Sequence, residues 1–194
     1  MDTGNQQRIE PIASSCPLNL RKRVELPDGT GHLIFWPTLL LGLAADLWSK
    51  HAVFAWLGDK PDLKATIIDG FLSFQLALNK GAAFGIADGR RPFLIGVAVL
   101  AMLIILGVFF FGTGRQRPIQ AALGLFAAGV SGNLWDRIFN DGRVRDFIDV
   151  VYWPGRHWHT FNVADSWLCI AVVLLVAATF ITDSSDRKRA RPQK

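Results

Sequence analysis

Two Asn-x-x-Asp units, Asn133-Leu134-Trp135-Asp136 and Asn162-Val163-Ala164-Asp165, sit at the ends of hydrophobic segments. A third acidic cluster, Asp146 and Asp149, lies between them. A charged carboxylate at the centre of a bilayer costs about 3 kcal/mol or more, so acids in or beside apolar spans are candidates for function. Two carboxylates about 3 Å apart cannot both ionise, and such a pair shares one proton. The ionised member takes a proton from water while the protonated member polarises a carbonyl. That pairing hydrolyses an amide without a metal and without a covalent intermediate.

The spacing suggests how each acid is held. Asn is a favoured N-cap, and a cap at Asn162 places Asp165 in the first turn of the following helix. A carboxylate there complements the positive helix end. Just below the membrane surface and facing the bundle, it would also be partly desolvated, which favours a catalytic role. Asn133, Asp136 and Arg137 are spaced i, i+3, i+4 and share one helix face. Arg137 offers Asp136 a counter-ion, so that unit reads as a clamp. Asp146 follows Asp136 by ten residues, in a loop expected to return to the membrane through Phe147, Ile148, Val150 and Val151. Asp146 and Asp165 can then meet at the outer surface; Asp149 is the alternative to Asp146 but alternates less well with its apolar neighbours. Asp46 and Lys50 are i, i+4 with the acid first, the better order for a pair that neutralises itself in lipid.

The elements that must position these groups are apolar. The hydrophobic share is 51% and the mean hydropathy +0.27. Residues 92–112 carry no charge, and a helix of that length covers a hydrocarbon core of about 30 Å. Three less pure spans are expected at 33–57, 118–139 and 163–182. Four spans leave little chain for a separate soluble domain. The expected division is a disordered cytoplasmic extension (1–31), a four-helix membrane domain (32–182) and a basic cytoplasmic tail (183–194). Eleven Lys and Arg residues lie in the N-terminal segment, the 113–117 loop and the tail, against eight spread over the longer 58–91 and 140–162 loops. That density predicts both termini inside and the two longer loops outside.

In the first outer loop, residues 71–78 alternate, with Leu72, Phe74, Leu76 and Leu78 on one face, and predict a strand. The run of small residues that follows, 79–85, reads either as a hairpin turn or as the wall of a peptide groove. Aromatics of the second loop (Tyr152, Trp153, Trp158, Phe161) suit a lipid headgroup boundary. His157-x-His159 lacks a third His or a Cys nearby, so no metal and no cofactor is expected. The net charge of +5 fits contact with anionic lipid rather than nucleic acid. The first 32 residues lack the apolar run of a secretory signal peptide, which also weakens Ala13-Ser14-Ser15-Cys16 as a lipid-attachment box. Cys16 and Cys169 fall in different regions, so no disulfide is expected. A proton-relay transporter using Asp46, Asp136 and Asp165, or a non-catalytic scaffold, are the other readings. The acids gather at one end rather than through the membrane depth, which disfavours the first.

Taken together, Asp46-x-x-x-Lys50, Asn79-x-Gly81-Ala82-Ala83-Phe84, Gly132-Asn133-Leu134-Trp135-Asp136-Arg137, Asp146-Phe147 and Phe161-Asn162-Val163-Ala164-Asp165-Ser166 resemble the bacterial lipoprotein signal peptidases, or signal peptidase II. The resemblance covers roughly residues 33–182, with the blocks in the family's order. It implies an α-helical inner-membrane aspartic peptidase with four transmembrane helices and a small extracytoplasmic β-cradle. Such an enzyme cuts prolipoproteins just before a diacylglyceryl-modified Cys. By match of motif, Asp146 and Asp165 carry the dyad, with Asp136 the rival of Asp146. Asp46, Lys50, Asn79, Gly81, Asn133, Asp136, Arg137, Asn162 and Ala164 would support or line the site. Diacylglyceryl prolipoproteins and membrane lipids would be the partners, and the enzyme would act as a monomer. Three features depart from the family: Arg145 stands where an apolar residue is usual and is expected to lower the pKa of Asp146, the stretch from Arg137 to Asp146 is slightly longer, and the N-terminal extension has no counterpart.

Overall fold

A computed structural model describes residues 26–81 and 89–189. Most of the N-terminal extension with Cys16, the last residues of the basic tail, and residues 82–85 of the small-residue run lie outside the described residues.

Four helices and four strands alternate in the order α1 (Gly29–Gly58), β1 (Lys64–Ile68), β2 (Leu72–Asn79), α2 (Arg91–Gly112), α3 (Arg117–Phe139), β3 (Val144–Trp153), β4 (Arg156–His157) and α4 (Val163–Arg189). Helix starts follow local chemistry. The Asp28 side chain caps α1 by accepting from the Gly31 N–H at 3.0 Å. Pro92 and Pro118 occupy the first turns of α2 and α3, where a missing N–H has no cost. Helix α4 runs to Arg189, seven residues beyond the expected end at 182.

Helix α3 is the hub, packed against the three other helices. Its buried face is rich in small residues (Ala122, Ala127, Ala128, Gly129, Gly132), which lets neighbouring backbones approach. A Cβ on Gly129 would lie 2.6 Å from the Ala164 carbonyl oxygen, and one on Gly132 would meet the Asp46 carboxylate. Phe35 and Phe109 stack with ring centroids 4.1 Å apart at the centre of an apolar cluster with Leu39, Ile105, Leu123 and Val130. At the start of α3, Arg117 forms a two-pronged pair with Asp28 at 2.6 Å on each arm, locking α1 to the α2–α3 turn.

Helices α1 and α2 are long and apolar enough to cross a membrane, and α4 has a shorter apolar stretch, Val163–Ala178. Helix α3 falls short by that measure because it carries the polar groups of the site. Large apolar side chains such as Leu41, Leu103 and Val173 face outward, the reverse of the pattern on a water-exposed bundle.

The strands form one antiparallel sheet in the order β1-β2-β3-β4. Strand β2 appears where alternation predicts it, but Ser73, on the expected polar face, is buried because it bonds to Asp149. A bulge between Phe74 and Ala77 shifts the register against β3 and breaks the simple two-residue period. The segment expected as a loop returning to the membrane is the ten-residue strand β3. The sheet thereby sets Asp146 and Asn79 beside the start of α4.

Candidate active site

All eleven residues singled out by sequence join one hydrogen-bonded network. It begins in α1, where buried Lys50 donates to Asp46 Oδ2 at 2.7 Å and to Asn133 Oδ1 at 3.1 Å, and lies 3.3 Å from Asp136 Oδ2. The other oxygen of Asp46 accepts the Ala164 N–H at 2.8 Å, joining α1 to the first turn of α4. Burying these charges is tolerable because each carboxylate has a cation or an N–H directed at it.

Two asparagine amides carry the network to Asp165 and Asp146. Asn133 Nδ2 donates to Asp165 Oδ1 at 2.8 Å. Asn162 is the cap that the sequence suggests: its Oδ1 accepts the Asp165 N–H at 3.0 Å, and Asp165 Oδ2 reaches back to the Asn162 N–H at 3.1 Å. This reciprocal arrangement is a capping box with Asp at the third position. Asn162 Nδ2 in turn donates to Asp146 Oδ1 at 2.6 Å and to Asn133 Oδ1 at 3.1 Å. Asn79 donates to Asp146 Oδ2 at 3.1 Å while its own oxygen holds the Gly81 N–H at 2.9 Å. One side chain, Asn162, thus touches both acids and fixes their relative position.

Asp146 is 2% exposed. Burial, reinforced by the negative charge of Asp165, pushes its carboxyl up to about 6 from an ordinary 3.8, against the opposing bonds from Asn79 and Asn162 and the charge of Lys50. The expected effect of Arg145 is therefore absent. Adjacent strand side chains project to opposite faces, and Arg145 turns to Asp136 instead, with Nη2 and Nε at 2.6 and 3.0 Å from Oδ1 and its backbone N–H at 2.9 Å from Oδ2.

Asp136 consequently has Arg145 and Lys50 as its counter-ions, and not Arg137 as expected. Arg137 bonds to the carbonyls of Gly81 at 3.0 Å and Asn133 at 3.3 Å, with its buried Nε lacking a partner among the described residues. Spacing within α3 pointed to Arg137, but the turn after α3 brings a better-placed guanidinium to the acid from β3.

Two cavities meet at Asp146. One, of about 640 Å³, is bordered by Asp146, Asp165, Asn133 and Arg137 and walled by Phe161, Leu168 and Ile170. The other, of about 690 Å³, extends over the sheet past Lys64, Gln75, Asp149 and His157. Asp136 borders neither cavity. Asp149, the alternative raised by sequence, accepts from Ser73 at 2.9 Å and His157 at 2.8 Å, with Lys64 at 3.4 Å. This cluster draws one residue from each strand, and only the strand register makes it visible. His159 Nδ1 donates to the Thr160 carbonyl at 3.0 Å. Among the described residues, no group of three or more His, Cys, Asp or Glu side chains is placed to hold a metal. Cys169 carries a free thiol on the wall of the first cavity.

The chain is similar in sequence and fold to known proteins. Residues 38–181 match the family model described as Signal peptidase (SPase) II. The lipoprotein signal peptidase of Syntrophomonas wolfei is 33% identical over 158 residues, covering 80% of this chain and 99% of that protein. Its counterpart from Geobacter metallireducens is 44% identical over 112 residues, 56% of this chain and 68% of the relative. A bacterial membrane enzyme solved by the in meso method at 2.3 Å superposes with a TM-score of 0.72 at 28% identity, covering 88% of this chain and 99% of that one. A second such structure, solved at 1.9 Å, gives 0.66 at the same identity over 81% and 97%. With a matched segment that runs from within α1 to within α4 and holds every residue of the network, the chain belongs to the signal peptidase II family of membrane proteases.

Proposed function

We propose that this protease removes signal peptides from diacylglyceryl-modified prolipoproteins by cleaving before the lipidated Cys, with Asp146 and Asp165 as its catalytic dyad. The observation that carries this reading is that both carboxylates border one cavity and both bond to Asn162, Asp146 to its side-chain amide and Asp165 to its backbone N–H. Asp136 is saturated by Arg145 and Lys50 and borders no cavity, which argues against it as the partner of Asp165.

In the working state the pair holds one proton, on Asp146, whose raised pKa suits a general acid. Ionised Asp165 accepts a proton from water as the water oxygen attacks the scissile carbonyl carbon. The Asp146 proton passes to the carbonyl oxygen, giving a neutral tetrahedral diol. Asp165 then delivers its proton to the amide nitrogen while Asp146 recovers one from the diol. The C–N bond breaks, and the dyad is left with its single proton. Asn133 and Asn162 hold Asp165 in place throughout, and Asn79 and Asn162 hold Asp146.

The apolar wall of Leu168, Cys169 and Ile170 on α4 would face the lipid-bearing side of the substrate. In this reading residues 32–182 form one domain whose four helices all cross the inner membrane. Both termini are cytoplasmic and the sheet is the extracytoplasmic cradle. Residues before Asp28 and after Arg189 are given no part in this reading, and the enzyme acts as a monomer on prolipoprotein and lipid. Helix α3 crosses despite its polarity because its charged end faces α1, α4 and β3 rather than lipid.

The test is to cleave a synthetic diacylglyceryl prolipoprotein peptide in ¹⁸O-labelled water and to identify both products by mass. A lipidated Cys at the new N-terminus and one ¹⁸O in the released signal peptide carboxylate are expected. Equal cleavage of the unlipidated peptide, or a product cut elsewhere, would refute the assignment.

A further inference from the structure

The two cavities share a border formed by Asn79, Asp146, Trp158, His159 and Thr160, so a peptide bond held at Asp146 meets different chemistry on its two sides. On one side stand the apolar residues of α4 together with Phe161. On the other stand Lys64, Gln75, Lys80, Asp149 and His157, contributed by the strands and by the residue after β2.

The acid within this polar cavity is already committed. Burial would push the Asp149 carboxyl up, but the bonds from His157, Ser73 and Lys64 outweigh it and hold the group below the ordinary carboxylate range. With Asp149 3% exposed and three donors directed at it, its charge is neutralised within the cavity floor. What the cavity presents to a visitor is cationic. Lys80 is exposed and makes no ion pair among the described residues, whereas the charge of Lys64 is balanced by Asp149 at 3.4 Å.

We propose that the polar cavity over the sheet is a subsite for the residues that follow the lipidated Cys, and that Lys80 makes it favour acidic over basic side chains there. This rests on the peptidase reading above and adds to it the specificity of the leaving segment. The apolar cavity is suited to the signal peptide and lipid. The segment released with the new amino terminus must be polar enough to leave the membrane surface, and only the sheet side offers it a polar wall. A charge pair at such an exposed lysine is weak, and salt screens it.

The experiment uses three diacylglyceryl peptides identical through the Cys and carrying Asp, Ser or Lys at the three positions after it. The full-length protein is assayed in detergent micelles at low and high salt. The expected order of kcat/KM is Asp, then Ser, then Lys, with about a two- to fivefold step between neighbours that shrinks at high salt. In Lys80→Glu the order should invert. Each ratio is taken within one variant, so a loss of folded protein cancels. Equal kcat/KM for the three peptides in the wild type, or an unchanged order in Lys80→Glu, would overturn the subsite while leaving the peptidase reading intact. Failure of the wild type to cleave any of them would overturn both.

Discussion

Replacing Asp146 with Asn should flatten the pH dependence of stability. In the folded protein the carboxyl titrates at about 6 instead of 3.8. Below about pH 3 it is protonated in both the folded and unfolded chain and has no effect on stability. As pH rises, the unfolded chain gives up the proton first, so the folded state binds more protons and stability falls. The fall ends above about pH 6, when the folded protein ionises as well. A rise from 3.8 to about 6 corresponds to about 3 kcal/mol. Roughly 2 kcal/mol of it is lost between pH 4 and 7.5. Reversible unfolding in mixed detergent micelles, followed by the fluorescence of the seven Trp residues, measures this slope. The wild type should lose about 2 kcal/mol more than Asp146→Asn over that interval. The absolute stability of the variant is less informative, because the new amide would face the Asn79 Nδ2 donor. Equal slopes in the two proteins would refute the claim that burial and Asp165 hold the Asp146 proton.

Substitutions at three further positions probe the supporting network. Gly132→Ala should drive Asp46 from Lys50 and Ala164, lowering unfolding stability by about 1–3 kcal/mol; unchanged stability would contradict the close approach of α1 to α3. Arg145→Met leaves Asp136 with Lys50 and the residue 145 backbone N–H and should cost about 3 kcal/mol, and Arg145→Lys should recover only part of it because the two-pronged contact is lost. Full stability in either variant would count against this pairing. Asn162→Ala removes the α4 cap and the bond to Asp146, which should lower stability by about 2–4 kcal/mol. Losing that bond should also move the alkaline limb of the kcat/KM profile upward, whereas a purely structural Asn162 would leave the limb in place.

Much of the network was legible because it is local. The i, i+4 spacing of Asp46 and Lys50 became a 2.7 Å ion pair, and the Asn162 cap with Asp165 three residues on formed as spacing predicts. Strand β2 followed from alternation, whereas α1 begins at Gly29, inside the segment expected to be a disordered extension. The parts that eluded sequence reasoning depend on how distant segments align. Arg137 and Arg145 are equally basic in the sequence, and only the turn from α3 into β3 decides that Arg145 serves Asp136. Ser73 looked like an exposed polar position until pairing set it opposite Asp149. His157 gained its meaning from the same register and not from the His-x-His spacing. The resemblance to a family supplied the choice of Asp146, which spacing had left open against Asp149.

The central claim is that Asp146 and Asp165 together cut the peptide bond. Its most direct measurement is single-turnover cleavage of a diacylglyceryl prolipoprotein by Asp146→Asn, Asp165→Asn and Asp136→Asn, each shown to be folded and to bind substrate. The first two should retain binding while cleavage falls by at least about a thousandfold. Asp136→Asn, where folded, should lose far less. Near-normal cleavage by either dyad variant, or selective loss in folded Asp136→Asn, would contradict the account.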